Sequence, residues 1–513
     1  MENIFLFLCG HFLYQKMSFR RKSDSKLTFF YLWNKVVFVR SEGGSFKKKR
    51  QPDKAQTEMS VPCPAFFLEF FMDFLTGKIK PLYFKYLGAA FGSALISSIY
   101  GLVDMAMVGQ YQGPDGTAAL AVVAPVWNVI YSLGLLMGIG GSVIFATNAG
   151  SGGGEKGKKE GNIYFTTSVL GSLILAILST LAIIFFESPI LKFFGADPIL
   201  LPLAKSYLKP IIFVFPLFLF NQMLAAFLRN DGNPNLATAG VLAGGIFNVF
   251  GDYFFVFTCN MGIYGAGLAT AIGSAISFVV MCSHFFTKKN TLRLVKVNEL
   301  WRRLKKICVV GFSTFFIDVA MGILTILFNR QIMKYLGSSA LAVYGPVINI
   351  STFVQCCAYS VGQAAQPIIS TNFGAKKGSR IKETLHLALL SSAFFAIFWT
   401  GLSEAFPNLY IRIFMTPTEE ILKIAPAIIR TYSISFLLLP FNIFSTYYFQ
   451  SIMKAGTAFV VSVARGLVIS GLFIMILPLI FEPSSIWLAM PFTEVIVALY
   501  AAFRMKKFTG DLE

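Results

Sequence analysis

The sequence predicts an all-α membrane protein: twelve transmembrane helices in two six-helix lobes related by internal duplication. Three observations predict it. Apolar residues make up 55% of the 513 and charged residues only 13%, with a mean hydropathy of +0.66, whereas soluble chains carry nearer 25% charged residues. About twelve apolar stretches of roughly 20 residues can be drawn, each long enough to cross a hydrocarbon core. The chain also repeats itself. Residues 119–126 read ALAVVAPV and residues 340–347 read ALAVYGPV, an offset of 221 that Asn128 and Asn349 keep. Thr147-Asn148-Ala149-Gly150-Ser151 matches Thr371-Asn372-Phe373-Gly374-Ala375 at an offset of 224, which Pro216 and Pro440, then Gly232 and Gly456, maintain. That period is too long for a solenoid. Two copies of one helical bundle are a known plan for transporters, which move one half against the other.

Residues 1–71 are partly basic, partly aromatic and aperiodic. Residues 1–15 lack the basic start and small-residue cleavage site of a signal peptide, and Lys47-Lys48-Lys49-Arg50 has the charge to touch anionic lipid. We expect residues 1–71 to be an extension outside the folded body, either disordered or translated from upstream of a start at Met72. The first lobe is expected at 72–286, a basic linker at 287–306 and the second lobe at 307–513. Spans fall near 83–108, 118–146, 163–186, 202–228, 235–257, 265–286, 307–332, 341–371, 383–403, 425–452, 457–481 and 485–504. Pro125, Pro216, Pro346, Pro367 and Pro440 lie within them and are expected to bend them. Residues 404–424, with Arg412, Glu419 and Glu420, are expected to include a helix lying at the interface.

Loop charge sets the orientation. One group of loops holds Lys156, Lys158, Lys159, Arg229, eight Lys or Arg within 287–306, Lys376, Lys377, Arg380, Lys382, Lys454, Arg504, Lys506 and Lys507; the alternate loops 109–117, 258–264 and 482–484 hold none. The positive-inside rule places the rich group, and both termini, in the cytoplasm of a cell whose inner membrane the chain crosses. The same distribution explains the net charge of +19 without nucleic acid. The linker 287–306 is expected to act as a hinge between lobes of equal topology.

Several chemistries are excluded. Cys9, Cys63, Cys259, Cys282, Cys308, Cys356 and Cys357 have no metal-ligand spacing with His11, His284 and His386, and no disulfide framework follows. Gly152-Gly153-Gly154-Glu155-Lys156-Gly157-Lys158-Lys159 nearly spells a phosphate-binding loop. Its last residue, however, is Lys159 where Ser or Thr should hold Mg²⁺, and no strand precedes it. No nucleophile–base set stands out. We therefore expect no enzyme, no cofactor and no ATPase subunit, and a monomer driven by an ion gradient.

What remains is acid inside the membrane. A carboxylate at the bilayer centre costs roughly 3 kcal/mol or more, so it usually faces a polar cavity and has a task. Helix rise puts Asp104, near the outer end of the first span, level with Asp252 near the end of the fifth. Asn248 lies one turn deeper on the same face as Asp252, and Thr270 in the sixth span reaches matching depth. Two carboxylates, an amide oxygen and a hydroxyl suit a hard cation such as Na⁺. Two carboxylates held close in low dielectric also suit proton carriage. Asp318 falls near the midplane of the seventh span, as a possible substrate or proton site with Glu494 as a weaker companion; Arg465 is an alternative, structural partner for Asp318. The second lobe lacks the first-lobe set: Thr325 stands at the repeat of Asp104 and Ile476 at that of Asp252.

Leu102-Val103-Asp104-Met105-Ala106-Met107-Val108-Gly109 resembles the first-helix motif of the multidrug and toxic compound extrusion (MATE) family. Leu228-Arg229-Asn230-Asp231-Gly232, Asn248-x-x-x-Asp252, Gly265-Ala266-Gly267-Leu268-Ala269-Thr270 and Gln363-x-x-x-Pro367 extend the resemblance over about residues 78–506, nearest to the prokaryotic MepA-like branch. It implies a MATE-like fold, alternating access, and antiport of organic cations or amphipathic toxins against Na⁺ or H⁺. It also implies cation coupling at Asp104, Asn248, Asp252 and Thr270. Some members place a coupling acid in the second lobe, with which Asp318 does not align. The alternative is a flippase of lipid-linked oligosaccharide from a related two-lobed superfamily, which would need a chamber lined with Arg and Lys.

Overall fold

The computed structural model describes residues 74–151, 155–414 and 417–512. The expected extension 1–71, its basic tract, the start expected at Met72 and glycines 152–154 of the phosphate-loop lookalike lie outside the described residues. Among the described residues there are helices and no strands. Eleven helical stretches are long and apolar enough to cross a membrane. The first, α1 (Ile79–Gly150), has 72 residues, about 108 Å of helix at 1.5 Å per residue. One bilayer core is about 30 Å thick. The helix doubles back at Gly113, where φ is 70°, a conformation open to glycine. A Cβ on Gly109 would come within 2.7 Å of the Thr117 methyl, which a straight helix would hold about 12 Å away. So α1 supplies two spans, and the twelve expected from the sequence are present.

The rest of the first lobe is α2 (Glu155–Phe193), α3 (Leu200–Ile211), α4 (Phe215–Asn230), α5 (Pro234–Asp252) and α6 (Gly262–Cys282). The second lobe is α7 (Leu300–Tyr335), α8 (Gly337–Gly374), α9 (Gly378–Ala405), α10 (Pro407–Phe414), α11 (Glu419–Ser433), α12 (Leu439–Ser451), α13 (Ala455–Val463), α14 (Ile469–Ile480) and α15 (Ala489–Gly510). The duplication reappears as matched breaks. A 3₁₀ turn at Ile212–Val214 separates α3 from α4, and one at Ile434–Leu437 separates α11 from α12. Pro216 and Pro440 sit in the first turn after each break, where a missing N–H costs no helical bond. These two prolines therefore start helices rather than bend them, while Pro125, Pro346 and Pro367 lie inside α1 and α8. The short, half-exposed α10 occupies the segment read as interfacial. Thr418 caps α11, accepting from the Ile421 N–H at 3.3 Å, and Glu419 and Glu420 complement its dipole.

The lobes meet through glycine, and the repeat motif makes the contact. A Cβ on Gly150 would lie 2.0 Å from the Thr371 carbonyl oxygen, and one on Gly374 would lie 1.9 Å from that of Thr147. The two Thr-Asn-x-Gly segments thus cross backbone to backbone, as close packing in membranes requires. Further along, Gly140 meets the Ile307 carbonyl and Gly311 meets that of Leu136. At the same end Arg380 donates to the Phe74 and Gly77 carbonyls at 2.8 and 2.7 Å, and Lys377 to that of Leu75 at 2.9 Å. This is the end that carries the basic loops. Interlobe hydrogen bonds among the described residues reach as far as Ser98–Cys356 and Ser132–Asp318, roughly 28 Å up the helices. Beyond that level Gly101, Gly322 and Gly345 meet nothing within 4 Å.

The linker is held to the first lobe. The Arg293 and Val295 N–H groups donate to Asn162 Oδ1 and Thr166 Oγ1 at 2.8 and 3.0 Å. Thr291 donates to Asp231 through both its N–H and its hydroxyl. The final residues of 287–306 already belong to α7, whose Arg303 pairs with Glu160 at 2.6 Å.

The seal predicts a contrast. Gly374→Val should destabilise the protein by about 1–3 kcal/mol through overpacking against fixed backbone, while Gly101→Ala should fall within about 0.5 kcal/mol of the parent. Melting of the detergent-purified variants measures both.

Candidate functional site

Four sequence-selected residues gather in the first lobe on α1, α5 and α6. Asp104 is 9% exposed, Asp252 is fully buried, and Asn248 and Thr270 are buried with them. Asn248 Nδ2 donates to Thr270 Oγ1 at 3.0 Å. Asp252 lies near enough to Asp104 to be within reach of its charge. Local structure places them: Asp252 is the last α-helical residue of α5, and the chain continues as a π turn, Tyr253–Thr258, a departure often found at functional sites.

Tyr207, on α3, belongs to this group, and depth arithmetic missed it. Its hydroxyl donates to Asp104 Oδ2 at 2.7 Å and lies beside Thr270. The signal available was a tyrosine between Lys205 and Lys209 at the start of a span, which also describes a tyrosine at a membrane interface.

The donors fall short of the acceptors. Asp104 Oδ1, Asn248 Oδ1 and both Asp252 oxygens are buried without a hydrogen-bond partner. An unsatisfied buried acceptor costs about 1–3 kcal/mol, more for a charged group. All are oxygens around one locus, the donor chemistry of Na⁺, and two are carboxylates able to take a proton. No three His, Cys, Asp or Glu come together among the described residues.

The group opens onto a cavity of about 180 Å³ lined by Asn248 and Thr270 at one end, by Tyr100, Tyr131 and Phe218 along its walls, and by Arg229 and Gln363 toward the other. α8 supplies Tyr359 and Gln363, so both lobes contribute. Arg229, counted among loop charges in the sequence, is instead buried at the end of α4 and faces this chamber.

The second-lobe acids are placed differently. Asp318 accepts from Tyr359 at 3.2 Å and, across the lobe boundary, from Ser132 at 3.5 Å. Arg465 is not its partner: Arg465 Nε donates to Glu494 Oε1 at 2.8 Å, and Asn442 donates to Glu494 Oε2 at 2.6 Å. Glu494 is fully buried in that closed pair. It stands 224 residues after Thr270, so the repeat of that hydroxyl is an acid already paired with a guanidinium. Arg465 lies in its own π turn, Ala464–Val468.

The Tyr207–Asp104 bond predicts a measurable coupling. In a double-mutant cycle of melting free energies with Tyr207→Phe and Asp104→Asn, the interaction should be at least about 1 kcal/mol. Additive losses would show the contact to be incidental.

Comparison with known proteins fits this architecture. The MatE family model matches residues 89–254 and 310–476, one copy in each lobe. The multidrug export protein MepA of Staphylococcus saprophyticus is 27% identical over 300 residues, 58% of this chain and 65% of that protein. MepA of Staphylococcus haemolyticus is 24% identical over 413 residues, 80% of this chain and 89% of its own. Among solved structures, the outward-facing form of a multidrug resistance MATE transporter superposes with a TM-score of 0.79 at 19% identity, over 86% of this chain and 98% of that one. A transporter of the same MOP superfamily from Pyrococcus furiosus gives 0.77 at 20%, with the same coverage. The chain belongs to the MATE family, in its MepA-like branch.

Proposed function

We propose that this protein is a secondary active multidrug efflux antiporter of the inner membrane, exporting organic cations or amphipathic toxins in exchange for Na⁺ or H⁺ by alternating access. The observation that carries the reading is the set of orphaned oxygens on Asp104, Asn248 and Asp252 beside a ring-lined chamber shared by both lobes. The relatives named as multidrug exporters support the substrate class.

The mechanism follows from charge. With the basic end in the cytoplasm, the sealed side is the inner one. In that state the two buried carboxylates meet the chamber through Asn248 and Thr270, which line it. Closing the outer side around them would strand negative charge in low dielectric. A cation or proton arriving from outside supplies what Asp104 and Asp252 lack and removes that cost. A flat cation in the chamber is held by the ring faces of Tyr100, Tyr131 and Phe218 and by the same negative field, so substrate and coupling ion compete. Substrate leaves as the ion enters. In the second lobe the Arg465–Glu494 pair removes Glu494 from ion binding, which leaves Asp318, held by the neutral Tyr359 and Ser132, as the acid there that stays open to a proton. A flippase for pyrophosphate-linked lipid would need several basic residues in the chamber; Arg229 is the basic side chain lining it.

Everted vesicles with ΔpH and ΔNa⁺ imposed separately test this reading. Asp252→Asn, which keeps shape and removes charge, should abolish gradient-driven efflux at normal surface expression. Thr270→Ala should cripple Na⁺-driven efflux and spare H⁺-driven efflux, because only a metal ion needs the hydroxyl ligand. Normal efflux with Asp104→Asn and Asp252→Asn combined would refute the coupling role and move the search to Asp318.

A further inference from the structure

Arg229 plays no part in the mechanism above, yet it is the most exacting side chain in the chamber. It is 92% buried, being 8% exposed, and its Nε has no hydrogen-bond partner. Among the described residues no carboxylate answers it. Asp231, two residues on, is held by His284 Nε2 at 2.7 Å and by Thr291. Asp318 accepts from Tyr359 and Ser132, and Glu494 from Arg465 and Asn442. Asp252, at the far end of α5, lies on the order of 25 Å away along that helix. The Arg229 backbone is fixed, because Tyr86 donates to its carbonyl at 3.1 Å; the side chain is left to face the cavity with Gln363. An uncompensated buried guanidinium is costly, and removing that cost takes an anion or a dense set of acceptors.

We propose that Arg229 is an anion-receiving subsite that selects zwitterionic amphiphiles: it binds the carboxylate of a substrate whose cationic end lies toward Asn248, Thr270 and the acids behind them. The chamber is then polar at both ends with opposite sign. Thr270 and Met281, which line its two ends on α6, are about 16 Å apart along the helix, and the aromatic wall between them takes the flat body. A guanidinium fork accepts a planar carboxylate through paired N–H···O bonds, which an ammonium cannot reproduce. Gln363, from the second lobe, adds an amide donor beside it and ties recognition of the anion to the opposite half of the molecule. The proposal rests on reading this cavity as the substrate chamber.

The test uses two probes: a coumarin dye carrying an aminomethyl group and a free carboxylate, and its methyl ester, which keeps the cation and loses the anion. Binding to the full-length protein in detergent at neutral pH, without gradients, is followed by fluorescence anisotropy. Arg229→Gln should weaken the carboxylate dye by about tenfold or more and leave the ester within about twofold. Arg229→Lys should lie between, because it keeps the charge and loses the fork. Equal losses for both dyes, or none for either, would overturn the subsite. If Arg229→Gln fails to fold by its melting curve, the carboxylate-to-ester affinity ratio in Arg229→Lys decides, and an unchanged ratio overturns the proposal. Failure of either dye to bind the parent protein would instead sink the chamber reading itself.

Discussion

Uncompensated negative charge in the first lobe is the constraint on which the rest of this molecule depends. Asp104 has one donor, the Tyr207 hydroxyl, and Asp252 has none. In water this would be trivial. Between membrane helices it is several kcal/mol of unfavourable energy, tolerable while one end of the site is wet and prohibitive once the lobes close over it. The fold keeps the deficit in place. The π turn after α5 ends regular helix at Asp252, and Asn248 spends its amide on Thr270, leaving its oxygen free. The site's own donors run out before its acceptors do, which is the deficit the proposed coupling ion would fill.

The duplication gives this local deficit leverage over the whole molecule. Both halves carry the same scaffold, with matched breaks before Pro216 and Pro440 and matched Thr-Asn-x-Gly segments that cross at the seal. Under the proposed alternating access, near symmetry would let the halves exchange one closed end for the other at little cost in packing. Yet the charges are asymmetric. Where the first lobe leaves carboxylates open, the second closes Glu494 with Arg465 and Asn442. The guanidinium compensates Glu494 alone, because Asp318 accepts from the neutral Tyr359 and Ser132. The seal is backbone against backbone, without side chains to deform, which makes it a contact that is either formed or broken.

Much of this was legible in the sequence, for reasons that lie in helix geometry. A membrane fixes the ends of a span and 1.5 Å of rise fixes depth, so Asp104, Asn248, Asp252 and Thr270 could be brought to one level from residue numbers alone. The twelve spans and the repeat came through the same regularity. What escaped needed lateral information. Tyr207 reaches Asp104 across helices, and no spacing along α3 announces that. Arg229 precedes an Asn-Asp-Gly turn and reads as a loop charge, whereas α4 turns its side chain inward. The Arg465–Glu494 pair joins two spans whose rotation about their own axes a single sequence does not reveal, and so Arg465 stood only as an alternative partner for Asp318. The fold-back at Gly113 was expected, but not its continuity as helix on both sides of one left-handed residue.

Direct cation binding to the purified protein at equilibrium, with no gradient and no drug, tests the account most directly. Bound Na⁺ is counted with a tracer, and proton uptake is titrated as the pH is lowered. The account predicts that the parent takes up one or both ions and that Asp104→Asn with Asp252→Asn abolishes that uptake. Arg465→Gln with Glu494→Gln, which removes the second-lobe pair as a unit, should leave it intact. Uptake that survives in the first double variant and disappears in the second would contradict the account.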